Sequence, residues 1–247
     1  MDYTVIIPAY NEEHWLPATL SSLITTMAQT GSNGEIIVVD NNSNDRTAAI
    51  AEEYGATVVF EPVNQISRAR NTGARHAQGV YLIFLDADTI VSMNLLNEAL
   101  RLLESGVCCG GGAEVIPDEG ANRWAYFGTS IWNPIARRLK LAAGCFIFCR
   151  QDAFKEIGGF SEKVYAGEEI GLSQKLKAWG KAHNMPFQII TGSPAITSGR
   201  KTEWYSPTQL VLITAGIALM PFVVRFRSLC GFWYRRPRTD NNSTRRK

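Results

Sequence analysis

An α/β fold, with a mostly parallel sheet flanked by helices, is predicted by three features of this 247-residue chain. Short apolar and β-branched runs alternate with segments of helical periodicity. Glycine closes several of those segments, as it does where a helix must end in a left-handed turn. The run Val80-Tyr81-Leu82-Ile83-Phe84-Leu85 is continuously apolar, the pattern of a strand covered on both faces.

Residues 3–7 read as the first strand, after which Leu16, Leu20, Leu23, Ile24 and Met27 recur on one helical face. Residues 35–39 form a second strand, followed by a turn-rich stretch over residues 40–44 and a helix that stops at Gly55. Residues 57–60 give a third. A helix over residues 66–78 closes at Gly79, and the central strand then runs to Asp86. Strands separated by helices in this way lie parallel, with the helices covering both faces.

Beyond Asp88 the pattern loosens. A helix spans residues 94–105, a glycine run occupies Gly110, Gly111 and Gly112, and a tryptophan-rich stretch covers residues 124–132. Residues 145–150 are a candidate strand, and Gly158-Gly159-Phe160 marks a turn. Glu168 and Glu169 open a helix that carries Leu172, Leu176 and Trp179 up to Gly180. Residues 1–205 are read as one domain and residues 206–247 as a tail, hydrophobic and then basic.

The formal charge is only +2, but Arg225, Arg227, Arg235, Arg236, Arg238, Arg245, Arg246 and Lys247 crowd the end. Residues 206–224 carry no formal charge, so the pairing favours an anionic lipid surface over nucleic acid. A full crossing would leave the basic end in the cytoplasm and the domain outside, so an interfacial or re-entrant helix is expected. The alternative is a helix packed on the domain or on a partner subunit. The five cysteines lack zinc-like spacing and are odd in number, which predicts reduced, mostly buried thiols and a cytoplasmic chain. A strand begins at once, and no secretory leader is read.

The strand of residues 80–85 ends in Asp86-Ala87-Asp88, at the edge of the sheet where ligands of open α/β folds gather. Two hard carboxylates there suit Mg²⁺ or Mn²⁺, with phosphate oxygens as further ligands. The plainer alternative is a strand end capped into a helix by Asp88 or Thr89. No G-x-G-x-x-G follows the first strand, which disfavours an ordinary dinucleotide fold.

Pro8-Ala9-Tyr10-Asn11-Glu12-Glu13, Val38-Val39-Asp40-Asn41-Asn42-Ser43, Ala69-Arg70-Asn71-Thr72-Gly73-Ala74, Phe84-Leu85-Asp86-Ala87-Asp88-Thr89, Gly158-Gly159-Phe160 and Gly167-Glu168-Glu169 occur in that order. Over roughly residues 3–200 this resembles a family 2 glycosyltransferase of the GT-A type, with a Rossmann-like sheet. The resemblance implies an inverting enzyme that takes a sugar from a nucleotide diphosphate and gives it to a glycan, lipid or small-molecule hydroxyl.

By that resemblance Pro8, Ala9, Tyr10 and Glu12 line the nucleoside pocket, and Asp40 meets base or ribose. Asn41 stands where a second Asp is frequent. Arg70 faces a base carbonyl or a phosphate, Asp86 and Asp88 hold the metal with Ala87 between them, and Arg200 and Lys201 balance the diphosphate. Glu168 and Glu169 match the acidic pair that supplies the catalytic base, with Glu169 preferred. The structural alternatives are an Asx turn at Asp40, a surface salt bridge at Arg70, and helix-dipole carboxylates at Glu12, Glu168 and Glu169.

The missing Q-x-x-R-W motif implies single or few additions. The location expected is the inner face of the cell membrane, and most of the few residues that set donor sugar, acceptor, linkage and oligomeric state are placed within the irregular stretch of residues 113–143. The rival is a catalytically inactive module that binds a sugar nucleotide or a partner.

Overall fold

The computed structural model describes residues 1–204, 208–209 and 221–231. The expected uncharged tail segment falls largely outside the described residues. Among those described, no helix is long and apolar enough to cross a membrane.

Eight strands form one sheet in the order β3-β2-β1-β4-β7-β6-β8-β5. The first half is parallel: β1 (Tyr3–Ala9), β2 (Gly34–Asp40), β3 (Thr57–Phe60) and β4 (Tyr81–Leu85). Helices α1 (Leu16–Ala28), α2 (Thr47–Glu53) and α3 (Ile66–His76) connect them. The expected order of these elements is what the chain adopts.

After the short β5 (Thr89–Ile90) and α4 (Met93–Glu104), β6 (Gly110–Pro117) leads through α5 (Arg123–Leu139) into β7 (Phe146–Arg150). β7 runs antiparallel to both β4 and β6. Helices α6 (Gln151–Glu156) and α7 (Glu168–Ala182) precede β8 (Phe187–Thr197), which pairs parallel with β6 and antiparallel with β5. The short α8 (Lys201–Trp204) follows.

The two faces of the sheet explain the continuous apolar run of β4. Ile83 and Leu85 pack with Leu16, Leu20, Leu95 and Phe146 on one side. Leu82 and Phe84 pack with Ile6, Ala69, Phe160 and Leu172 on the other. A strand alternates its side chains across the sheet, so only an apolar sequence at every position satisfies both layers.

The glycine run is a strand, although its residues lack the usual strand side chains. A Cβ on Gly111 would run into the Gln188 carbonyl and the Phe148 ring, and one on Gly112 would lie 2.6 Å from the Ala142 Cβ. Gly111→Ala is therefore expected to destabilise the fold by about 1–3 kcal/mol through overpacking, read as a lowered denaturation midpoint at unchanged slope.

α5 is fixed by two asparagines. Asn122 caps its first turn, accepting from the Trp124 and Ala125 amides. Asn133 receives the Val115 N–H and donates to the Val115 carbonyl, at 3.0 and 2.9 Å. Val115 is buried where the β6 and β8 register shifts, and the asparagine satisfies its backbone N–H and C=O there.

Candidate active site

The carboxyl ends of β1, β2 and β4 lie side by side, with Ala9 opposite Asp40 and Ile6 opposite Phe84. Asp86 and Asp88 stand on a turn just past β4, closed by the Thr89 amide donating to the Asp86 carbonyl at 3.1 Å. Neither Asp88 nor Thr89 caps a helix. Ser92 performs that role for α4, accepting from the Leu95 amide. The two aspartates thus stand on a turn after the strand, and both line one cavity.

That cavity, about 340 Å³, is lined by Asp86, Asp88, Arg70, Glu168, Glu169 and, from α5, Thr129 and Trp132. A larger hollow of about 600 Å³ lies between α4 and β8, but its charged residues, Glu98 and Arg101, pair with one another at its solvent side. Only the smaller one gathers buried ionisable groups, the usual mark of a functional cleft.

Arg70 is fully buried and organises the site. Its Nη1 donates to Glu168 Oε1 at 2.7 Å, and its Nη2 to Asp86 Oδ1 and the Gly144 carbonyl, each at 2.8 Å. The Phe160 ring lies 5.2 Å from the guanidinium carbon. Asn71, the next residue, accepts the Phe160 amide and donates to the Phe160 carbonyl, holding the Gly158-Gly159-Phe160 turn in place. Gly73 lets α3 approach Ile6 of β1 more closely than any side chain permits. The two motifs are thus parts of one contact.

Arg70 is therefore no surface salt bridge but the buried partner of both acids. Glu169, which still borders the cavity, has no such partner among the described residues. Desolvation, with the negative charge of Glu168 beside it, pushes its carboxyl up to about 8. Glu168 and Glu169 do open α7, and Glu168 is additionally committed to Arg70.

A second buried cation sits across the site. Arg200 forms a bidentate pair with both oxygens of Glu12, each at 2.8 Å, and its Nη2 lies 2.9 Å from Asp88 Oδ2. Trp15 and Trp204 lie against it at 5.2 and 5.7 Å. The Glu12 carboxylate expected to receive ribose hydroxyls is bound by Arg200 here. Lys201 opens α8, and the contact expected of its side chain lies outside the described residues.

At the other end of the cleft, Asp40 accepts the Ser43 amide at 2.9 Å, three residues on, so its side chain closes the loop after β2 without the two-residue Asx turn. Asn41 is tied down by scaffold bonds. It donates to the Glu61 and Val63 carbonyls and accepts the Gln65 amide. Pro8 and Ala9 end β1 beside them, with Tyr10 directly after.

Residues 4–158, more than half of the chain, match the family described as Glycosyl transferase family 2. The chain belongs to glycosyltransferase family 2. This transferase is 28% identical over 203 residues to glycosyltransferase AglE of Haloferax volcanii, a match covering 78% of the chain and 66% of AglE. Over 104 residues it is 32% identical to the UDP-Glc:alpha-D-GlcNAc-diphosphoundecaprenol beta-1,3-glucosyltransferase WfgD of Escherichia coli, covering 40% of each. The chain thus spans between two fifths and two thirds of these relatives.

The fold is shared with mannosyltransferase PcManGT of Pyrobaculum calidifontis in complex with GDP-Man and Mn²⁺. The TM-score is 0.65 at 19% identity, covering 92% of this chain and 64% of that one. S. aureus TarS 1–349 with UDP-GlcNAc matches with a TM-score of 0.63 at 19% identity, over 80% of this chain and 58% of that one. The sheet and its flanking helices are of the GT-A type.

The transferase presents two hard carboxylates, Asp86 and Asp88, on one cavity wall, a donor set suited to Mg²⁺ or Mn²⁺. No group of three or more carboxylate, histidine or cysteine side chains is placed to hold an ion among the described residues. The two aspartates fit a divalent cation whose other ligands come from phosphate and water. His14 is exposed, and His183 stacks on Trp179 with ring centroids 3.8 Å apart, so neither joins the site.

Three site features had no local signal. Trp132 and Thr129 come from a stretch that reads as irregular, and the Gly144 carbonyl is a backbone group. The ion pair of Glu12 with Arg200 joins residues far apart in the chain. The five cysteines are free and buried, as their odd number and spacing predict.

Proposed function

We propose that the chain transfers a sugar from a nucleotide diphosphate to an acceptor hydroxyl in a single displacement that inverts the anomeric centre. The observation that carries this reading is the pairing of roles around Arg70. One guanidinium holds Asp86 and Glu168, while Glu169 remains on the cavity wall without a cation of its own among the described residues.

In this reading Glu169 takes the proton of the acceptor hydroxyl. The acceptor oxygen bonds to the anomeric carbon as that carbon's bond to the diphosphate oxygen breaks, from the opposite face. Arg200 supplies positive charge near the phosphates, and Pro8, Ala9, Tyr10 and Asp40 border the nucleoside. Asp86 and Asp88 would hold a divalent cation, which when bound offsets charge on the leaving diphosphate. A lipid-linked acceptor at the inner face of the membrane is favoured by the uncharged residues 206–224 and the basic end that follows. WfgD, a glucosyltransferase named for its diphosphoundecaprenol-linked GlcNAc substrate, supports the same acceptor class.

Calorimetric titration of the full-length protein with UDP-, GDP-, dTDP- and CMP-sugars, with and without Mn²⁺, tests the donor site. One nucleotide class is expected to bind more tightly with Mn²⁺, and Asp88→Ala is expected to remove that metal-dependent increment. Equal affinity in both conditions for wild type and Asp88→Ala would refute the aspartate assignment.

A further inference from the structure

We propose that α5 is a membrane-docking helix that lays the mouth of the cavity against an anionic lipid surface. The helix buries only Ala125 and Ala136, while Trp124, Phe127, Ile131, Ile135 and Leu139 stand 41–56% exposed. At 3.6 residues per turn these five fall within one stripe of roughly 120°. A soluble surface seldom displays so many large apolar side chains in a row, and an interfacial helix requires them.

The charge on the helix selects the partner. α5 contains no acidic residue; Arg138 falls within the stripe, Arg123 and Arg137 lie to one side of it, and Lys140 follows the helix. Arg137 pairs with Glu114. The remaining positive charges complement anionic headgroups.

A second patch of the same character lies near the start of α7. Phe222, Phe226 and Leu229 are exposed beside Arg225 and Arg227. This segment is held next to the start of α7, the Tyr165 amide donating to the Val224 carbonyl and Arg227 donating to Asn64.

The stripe leads directly to the chemistry. Gly128 belongs to its exposed edge and also lines the cavity, together with Thr129 and Trp132. The Trp132 indole N–H is buried and makes no hydrogen bond to the described residues. It is a ready donor for an oxygen of a ligand entering from the lipid side. That last consequence rests on the glycosyl-transfer reading, whereas the docking itself does not.

The test uses the full-length protein with phosphatidylcholine vesicles, with and without a third of the lipid as phosphatidylglycerol. Wild type is expected to sediment with the anionic vesicles, and the triple variant Phe127→Ser, Ile131→Ser, Ile135→Ser to lose about tenfold or more of its partition coefficient. Vesicles with brominated acyl chains are expected to quench wild-type tryptophan emission, and Trp124→Phe to remove the largest quenched component. Unchanged partitioning of the triple variant overturns the proposal, as does a wild type that binds no vesicle. A shift from dimer to monomer in that variant with vesicle binding intact would assign the face to a second copy of the chain instead. Donor binding, measured on the same variant, is expected to stay at the wild-type level. Its absence in wild type would count against the functional reading alone.

Discussion

Glu169→Gln is expected to lower turnover about 10²- to 10⁴-fold while donor affinity stays within about twofold, because the amide keeps the shape of the side chain but accepts no proton. The pH profile should carry the same signature. The carboxyl is pushed up to about 8 by burial and by Glu168, so it is mostly neutral below that pH and anionic above it. A base must start without its proton, and the wild-type rate should therefore climb as pH rises through about 8.

Stability should move the other way. The ordinary carboxyl of an unfolded chain releases its proton near 4.5, so between there and about 8 the folded form holds the extra proton. Stability then falls as pH rises across that window. In Glu169→Gln the fall should be reduced, giving a larger stabilisation at pH 9 than at pH 5 in thermal denaturation. A variant with full turnover and an unaltered pH profile would remove Glu169 from the base position.

Arg70→Met is expected to be the most damaging single change to the fold. Breaking a buried ion pair by removing one partner costs about 3–5 kcal/mol, and here two acids and a carbonyl lose their donor together. Urea denaturation should show a lowered midpoint at pH 7. Arg70→Lys should fall between, since one ammonium on a flexible stem cannot span the three acceptors of a planar fork. If Arg70→Met unfolded at the wild-type midpoint, the guanidinium would not be the organising charge of the site.

The parallel half of the sheet was legible because its physics is local. Each apolar run meets two packed layers, and Gly55, at positive φ, follows the helix it ends, whereas α3 stops at an extended Ala77 and Gly79 instead packs against the Tyr3 backbone. The antiparallel half was less so. β6 opens with three glycines because Gln188, Phe148 and Ala142 leave no room for side chains, and that crowding comes from other elements. α5 reads as an irregular aromatic stretch because its small buried side, Ala125 and Ala136, gives no core-facing apolar period.

Within the site, the aspartates, the acidic pair and Arg70 were each visible in a motif, but the link between them was not. That Arg70 joins Asp86 to Glu168 depends on β7 lying between β4 and β6, which brings the Gly144 loop alongside. Asn41 shows the converse. Its position suggested a ligand contact, yet its side chain ties β2 to the loop after β3.

The clasp of Glu12 by Arg200 spans 188 residues of sequence, and β5 meets β8 through Thr89 and Thr197 in the same corner. Contacts of such separation form late, after the loops between them have closed. On a ribosome the first four strands can emerge and pair while Glu12 and Asp88 still await their cation. The site is completed only when residue 200 arrives, so a chain released before that point keeps much of the sheet but leaves both carboxylates without Arg200.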